Sequence, residues 1–235
     1  MSKVNEEIYH IFDANGEIKQ IEYALSAVNN SNPIVTVSSD EHVVCVSRKY
    51  NKEPLQEDVI STVKKVSDNL YLQMTGRLDD MNFIFRRIVK LASDKEYELG
   101  CKLTPDIFAR VVGDKMQKYI QRSSYRIPAF ASTIFGMQDG KTVVYFTDLS
   151  AVEYQCFANA SGKDYLKMNN YLENNYSENK SKEELINLAL GALLMSIGRT
   201  AEFTEIDAFV FSKEGLIKLE DQEINRHLQI VAEEF

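Results

Sequence analysis

The apolar residues of this chain change rhythm repeatedly, and those changes constrain its fold more than any single motif does. Pro33–Ser39 and His42–Arg48 are β-branched runs flanking Ser39-Asp40-Glu41, the pattern of two antiparallel strands joined by a turn. Asn69–Gly76 supplies another strand. From Arg77 to Leu99 the period becomes helical: Leu78, Met81, Phe85, Ile88 and Ala92 form one stripe, widened by Ile84 and Leu91 and stopped by Gly100. Thr104 as N-cap and Pro105 at the first helical position open a second helix running to about Ser123. Period two returns over Ala131–Met137, Lys141–Thr147 and Val152–Ala160, which predicts three consecutive strands, the first two joined at Asp139-Gly140. A helix from about Lys163 to Asn174 follows, then a polar linker in which Ser181 and Glu184 form a capping box for an apolar helix. Glu205–Leu219 reads as a hairpin around Glu214-Gly215, and Glu220 or Asp221 caps a last helix carrying Ile224, Leu228 and Val231.

An earlier helix precedes all of these. In Gly16–Val28, residues Ile18, Ile21, Leu25 and Val28 share one stripe while Lys19, Glu22 and Ser26 turn elsewhere. A helix this short is marginal alone, so its apolar side must dock on the strands that follow. Strands in runs and helices in pairs, with no separating linker and no internal repeat, predict two stacked sheets covered by helices: an α+β four-layer αββα sandwich. The expected layout is one domain over 1–235, with a tail at 1–11, the N-terminal helix at 16–30 and the sandwich at 33–235.

Composition narrows the function. A net charge of −8 and a pI near 5.1 argue against a nucleic-acid surface, which needs clustered Lys and Arg to neutralise phosphates. Cys45, Cys101 and Cys156, an odd number with no Cys-x-x-Cys spacing, argue against a disulfide framework or a zinc ribbon and suit three buried packing thiols in a reducing compartment. The polar start Met1–His10 lacks the apolar run of a signal peptide, so an intracellular chain is expected. Leu185–Gly198, the most apolar stretch, falls short of the roughly 20 residues a membrane span needs and reads as a buried helix.

The expected chemistry of an enzyme is missing. There is no Gly-x-Ser-x-Gly, no His-Glu-x-x-His and no phosphate loop, and Lys163 after Gly162 reads as an exposed first-turn residue. His10, His42 and His227 stand on different elements away from any metal-ligand spacing, so no metal or cofactor is expected. Ser2 would expose an amine beside its hydroxyl after loss of Met1, but it leads into a polar segment and not a core strand.

Tyr9–Val28 resembles the N-terminal motif of proteasome α subunits, a turn followed by Gln-Val-Glu-Tyr-Ala in a helix. Phe12, Gly16, Gln20, Glu22, Tyr23 and Ala24 match it directly, with Ile21 in the Val place. Met74–Asp80 resembles the family's strand-to-helix junction. Tyr97–Gly100, Gln117, Tyr119, Gln121 and Arg126 fit its middle, and Glu223–Phe235 is most similar to the subunit at the first ring position, the alpha type-six relative. The resemblance implies a non-catalytic subunit of a seven-membered α ring in the proteasome core particle. Its partners would be other α subunits, β subunits that carry an N-terminal Thr nucleophile, and regulatory ATPases, in cytoplasm and nucleus. It further implies that the early helix lies across the open end of the sandwich, with Phe12, Gly16, Gln20, Glu22 and Tyr23 as ring and gate contacts.

Departures from that family pattern fall in turns and tails. The Ser-Pro of the family's turn is absent from Asp13-Ala14-Asn15-Gly16, which removes the ring that fixes φ, and the gate tail's Tyr-Asp pair aligns with Asn5 and Glu6. The lysine that many α subunits offer to an ATPase tail aligns with Thr62; if that segment is extended, Lys64 shares the face of Thr62 and becomes the expected docking charge. Two other readings are open. One is a free-standing N-terminal-nucleophile amidohydrolase, released by autolysis before a residue such as Thr36; the other is a shell built from this chain alone.

Overall fold

In the computed structural model, which describes residues 12–50, 55, 60–122 and 125–234, the two predicted rhythms resolve into two five-stranded antiparallel sheets. The first joins β1 (Ile34–Ser38), β2 (Val43–Arg48), β8 (Ala158–Ser161), β9 (Ile206–Ser212) and β10 (Gly215–Lys218) in the order β10-β9-β2-β1-β8. The second holds β3 (Val63–Ser67), β4 (Leu70–Gly76), β5 (Phe130–Gln138), β6 (Lys141–Asp148) and β7 (Glu153–Gln155) in chain order.

Strand alternation distributes the side chains among three apolar clusters. Leu70, Leu72 and Met74 of β4 face α2 (Leu78–Leu99) and α3 (Pro105–Ile120), meeting Met81, Ile84, Ile88, Phe108 and Met116. Their neighbour Tyr71 points the other way, into an inter-sheet cluster with Val43, Cys45, Phe135, Phe209 and Phe211. There the Tyr71 ring lies 5.3 Å from Phe211 and 5.9 Å from Phe135. Val35, Val37, Val44 and Val46 pack under α4 (Tyr165–Asn175), α5 (Lys182–Ile197) and α6 (Asp221–Glu234). The order is helices, sheet, sheet, helices, as the period switching predicts.

Local signals act as the sequence indicates. Gly100 caps α2 in the left-handed region at φ 67°, and Asp139 and Gly140 take φ 51° and 80° in the β5–β6 turn. The Ser181 hydroxyl accepts the Glu184 N–H while the Glu184 carboxylate accepts the Ser181 N–H. On β8, one of the two edge strands of the first sheet, the Asn169 side-chain amide accepts the Ala160 N–H and donates to the Ala160 carbonyl, both at 2.9 Å, as a further strand would.

Four expectations need correction. Val152–Ala160 is not one strand: the chain leaves β7 in the second sheet and enters β8 in the first. Cys156 N–H donates to Val144 of the second sheet, while the Phe157 carbonyl accepts from Ser38 of the first, so adjacent residues serve opposite layers. Residues 63–67, not predicted as a strand, form the edge strand β3, whose Lys64 and Lys65 obscure the pattern. The N-terminal helix α1 begins at Lys19 and not at residue 16, ending at Asn29. Of the cysteines, Cys45 is buried, Cys156 partly so and Cys101 exposed, because Cys101 falls in the connection after the α2 cap.

Candidate functional site

The segment leading into α1 is tied by one carboxylate. Asp13 Oδ1 accepts the N–H groups of Asn15 at 2.8 Å and Glu17 at 3.0 Å, while Gly16 N–H donates to the Asp13 carbonyl at 3.0 Å. These backbone hydrogen bonds hold the Asp13 carboxyl below its ordinary pKa. The rigidity a proline would give this turn comes instead from an acceptor. Gly16 takes φ +79° with open space around its Cα, so the backbone and not crowding calls for glycine there.

α1 then lies on the second sheet against β4 and β5, with Ile18, Ile21, Ala24, Leu25, Ala27 and Val28 on the cluster shared with α2 and α3. The apolar stripe therefore docks as its spacing requires. Gln20, Glu22 and Tyr23 all stand on this helix, Gln20 and Glu22 on different sides of it, with Phe12 and Gly16 on the turn before it. Phe12 is 70% exposed and Tyr23 63%, so neither is absorbed by the chain's own core. Gln20 is half-buried, and its Oε1 has no hydrogen-bond partner among the described residues. Residues 1–11, including Ser2, Asn5, Glu6 and His10, lie outside the described residues.

Between α1 and β1 the chain is bonded into the end of the sandwich. Ser31 Oγ donates to the Val28 carbonyl at 2.6 Å and lies 2.8 Å from Thr75 Oγ1, which in turn bonds the Asn32 carbonyl. Lys163 N–H donates to the Ser31 carbonyl at 3.0 Å. Gly162, at φ +93°, brings its backbone so close that a Cβ would sit 2.4 Å from the Asn32 oxygen. Thr36, the hydroxyl considered for an autolytic enzyme, is buried mid-strand, paired with Cys45 on one side and Asn159 on the other. Its Oγ1 donates to Gln73 Oε1 at 2.7 Å, and Gln73 Nε2 donates to the Val46 carbonyl at 2.9 Å. An amide takes no proton from a hydroxyl, and the Thr36 nitrogen is a peptide nitrogen within β1, so neither activating group of such a nucleophile stands beside it.

Lys64 belongs to another surface. It does not share a face with Thr62: Thr62 is buried with its Oγ1 2.9 Å from Ser47 Oγ of the first sheet, while Lys64 Nζ rests 5.1 Å from the centroid of Phe85 on α2. The segment is not regularly extended there, because Ser61 Oγ bonds both the N–H and the carbonyl of Val63 and β3 starts only at Val63. Partial burial lowers the Lys64 pKa, and Lys65 pairs with Asp68 at 3.3 Å.

One polar cluster escaped the sequence reading. Asp80, buried at the start of α2, accepts Arg126 in a two-pronged ion pair and the Ala129 N–H at 2.8 Å, tying that helix to the entry of β5. Its signal was an acidic residue in the first helical turn, where sequence alone reads only a dipole contact. Among the described residues no group of three metal-binding side chains occurs, and no helix is long and apolar enough to cross a membrane.

Comparison with known proteins agrees with this architecture. A family model described as "Proteasome subunit" matches residues 28–210. The "Proteasome subunit alpha" of Natronomonas pharaonis is 29% identical over 224 residues, spanning 93% of this chain and 88% of that protein. That of Haloquadratum walsbyi is 26% identical, and the "Proteasome subunit alpha type-7-B" of Oryza sativa subsp. indica 28% identical, each over 221 residues covering 93% of this chain and 88% of the relative. With the matched region running from the last turn of α1 into β9, the chain belongs to the proteasome subunit family, and within it resembles the α subunits.

Proposed function

We infer that this chain is a non-catalytic α-type subunit of the proteasome core particle, seated among other α subunits in a seven-membered ring, against β subunits, and offering a surface to regulatory ATPases. The observation that carries this reading is the docking of α1 on the second sheet and the bonding of Ser31 and Asn32, between it and β1, to Thr75 and Lys163 across the end of the sandwich where a processed nucleophile would have to emerge. Such a subunit serves protein degradation, ubiquitin-dependent or not, by holding the ring and narrowing the substrate entrance, while peptide bonds are cut by a threonine endopeptidase elsewhere in the complex.

The exposed side chains of Phe12, Glu22 and Tyr23, with the half-buried Gln20 and the turn at Gly16, support a contact with a neighbouring subunit around α1 and the segment before it. Lys64 is proposed as a docking charge for an ATPase tail on the narrower ground that it stands on an edge strand; Lys64→Glu should then weaken tail binding, and unchanged affinity removes it from the role. The first ring position is proposed from the Glu223–Phe235 sequence, although the relatives compared include an alpha type-7-B. Cytoplasm and nucleus are the proposed locations.

Native mass measurement of the complex purified through this chain tests the whole reading. It should show one copy of this chain per ring beside different α and β partners. Uniform rings of this chain alone would favour the homo-oligomeric shell, and a mature chain starting at Thr36 that cleaves amides unaided would overturn the subunit reading.

A further inference from the structure

Helices α2 and α3 lie together over the second sheet, and part of their outer face carries charge opposite to that of the chain. Segments 86–90 and 115–126 contain seven Lys and Arg and no Asp or Glu, in a molecule of net charge −8. Four of these, Arg87, Lys115, Lys118 and Arg122, frame a cavity of about 80 Å³ with Tyr119 and Tyr125. Among the described residues none of the four pairs with a carboxylate. Three rest on aromatic rings instead: Arg87 4.3 Å over Phe83, Lys115 5.6 Å over Tyr119 and Arg122 5.9 Å over Tyr125.

The same two tyrosines, 5.4 Å apart edge to face, also wall an adjoining hollow of about 430 Å³ with Phe83 and Pro128. Asp79 and Asp80 line that hollow too, but Arg77 and Arg126 already neutralise them. Asp114, one turn before Lys118, is the remaining acid close by on α3, and it lines a different cavity with Arg110 and Gln117. Side by side on one surface there are thus a notch of uncompensated cations and an aromatic hollow with Phe83 and Tyr125 exposed at its rim.

Clustered cations repel one another and gain most from an anion placed among them. Two macromolecular anions have the right sign. A nucleic acid continues its charge far beyond a notch of this size, into the field of a molecule that is acidic elsewhere. A protein segment can place carboxylates on the notch and end there, with an apolar side chain in the hollow, the pairing typical of interfaces rich in Arg and Tyr. We propose that this groove docks an acidic segment of another protein chain, carboxylates among Arg87, Lys115, Lys118 and Arg122 and a neighbouring apolar side chain against Phe83 and Tyr125. The groove's chemistry stands independently of ring membership.

The test uses the full chain and fluorescence anisotropy with three labelled probes: a twelve-residue peptide repeating Glu-Glu-Phe, its Gln-Gln-Phe counterpart, and a twelve-nucleotide oligothymidylate. The Glu peptide should bind about tenfold or more tighter than either other probe, with affinity falling as salt rises. Combining Lys118→Glu and Arg122→Glu should weaken that binding about tenfold at unchanged thermal midpoint, whereas Lys213→Glu, on the exposed β9–β10 turn, should change it less than about twofold. No binding, equal binding of the Gln peptide, tighter binding of the oligonucleotide, or equal loss in the Lys213 variant would each overturn the proposal. Because ring membership is read separately by native mass, a chain that still assembles while failing this test refutes the groove alone.

Discussion

At Asp13 one side chain replaces a covalent constraint. Its pKa is lowered by the two N–H groups it accepts, so the ionised form stabilises the turn at neutral pH, and that contribution fades as pH falls below the ordinary value of 3.8 and through the lowered one. Amide exchange at Asn15 and Glu17 should therefore be protected near pH 6 and lose protection on acidification, and Asp13→Ala should remove the pH dependence; protection unaffected by either would show that the carboxylate is idle. Thr36 gives the residue-scale counterpart in the interior. Thr36→Val keeps the shape but leaves Gln73 Oε1 buried without its donor, which should cost about 1–3 kcal/mol in denaturant unfolding. Intact mass should show the same unprocessed chain with and without that substitution.

Among the elements, the α2–β5 tie shows why loss of two partners in one ion pair need not cost the same. Asp80 is buried while Arg126 is largely exposed. Asp80→Ala frees an arginine that water can solvate, at about 2–3 kcal/mol for the lost charged hydrogen bonds. Arg126→Ala strands a carboxylate with only the Ala129 N–H, so it should cost more, about 3–5 kcal/mol, with the double variant close to Asp80→Ala alone. Denaturant midpoints of the three variants check this, and equal, additive costs would contradict it. Element type was readable wherever the pattern was decided locally: the α2 stripe, the capping box at Ser181 and the Asp139-Gly140 turn each rest on residues within a few positions of one another. What was not readable depends on the partner layer. β7 and β8 look like one alternating run because period two is blind to which sheet accepts each carbonyl, and β3 was hidden because an edge strand tolerates lysines. The α1 stripe was legible for a related reason, since its spacing shows which side docks, whereas the outward positions of Phe12 and Tyr23 say nothing by themselves about what meets them.

Taken whole, the sandwich sorts its thiols by layer. Cys45 between the sheets and Cys156 at the crossing are both pushed up to about 12 by burial, while Cys101 lies on the surface. At pH 8 a thiol reagent should modify Cys101 alone in the folded chain and all three cysteines after unfolding; rapid reaction of Cys45 in the native state would mean that the two sheets separate. The same layering bears on association. By occupying both hydrogen-bonding groups of Ala160, the Asn169 amide blocks an incoming backbone at that point of β8. A copy or relative arriving there finds no free ladder at Ala160 to extend, so what it gains on that stretch of β8 depends on the shapes and charges it presents.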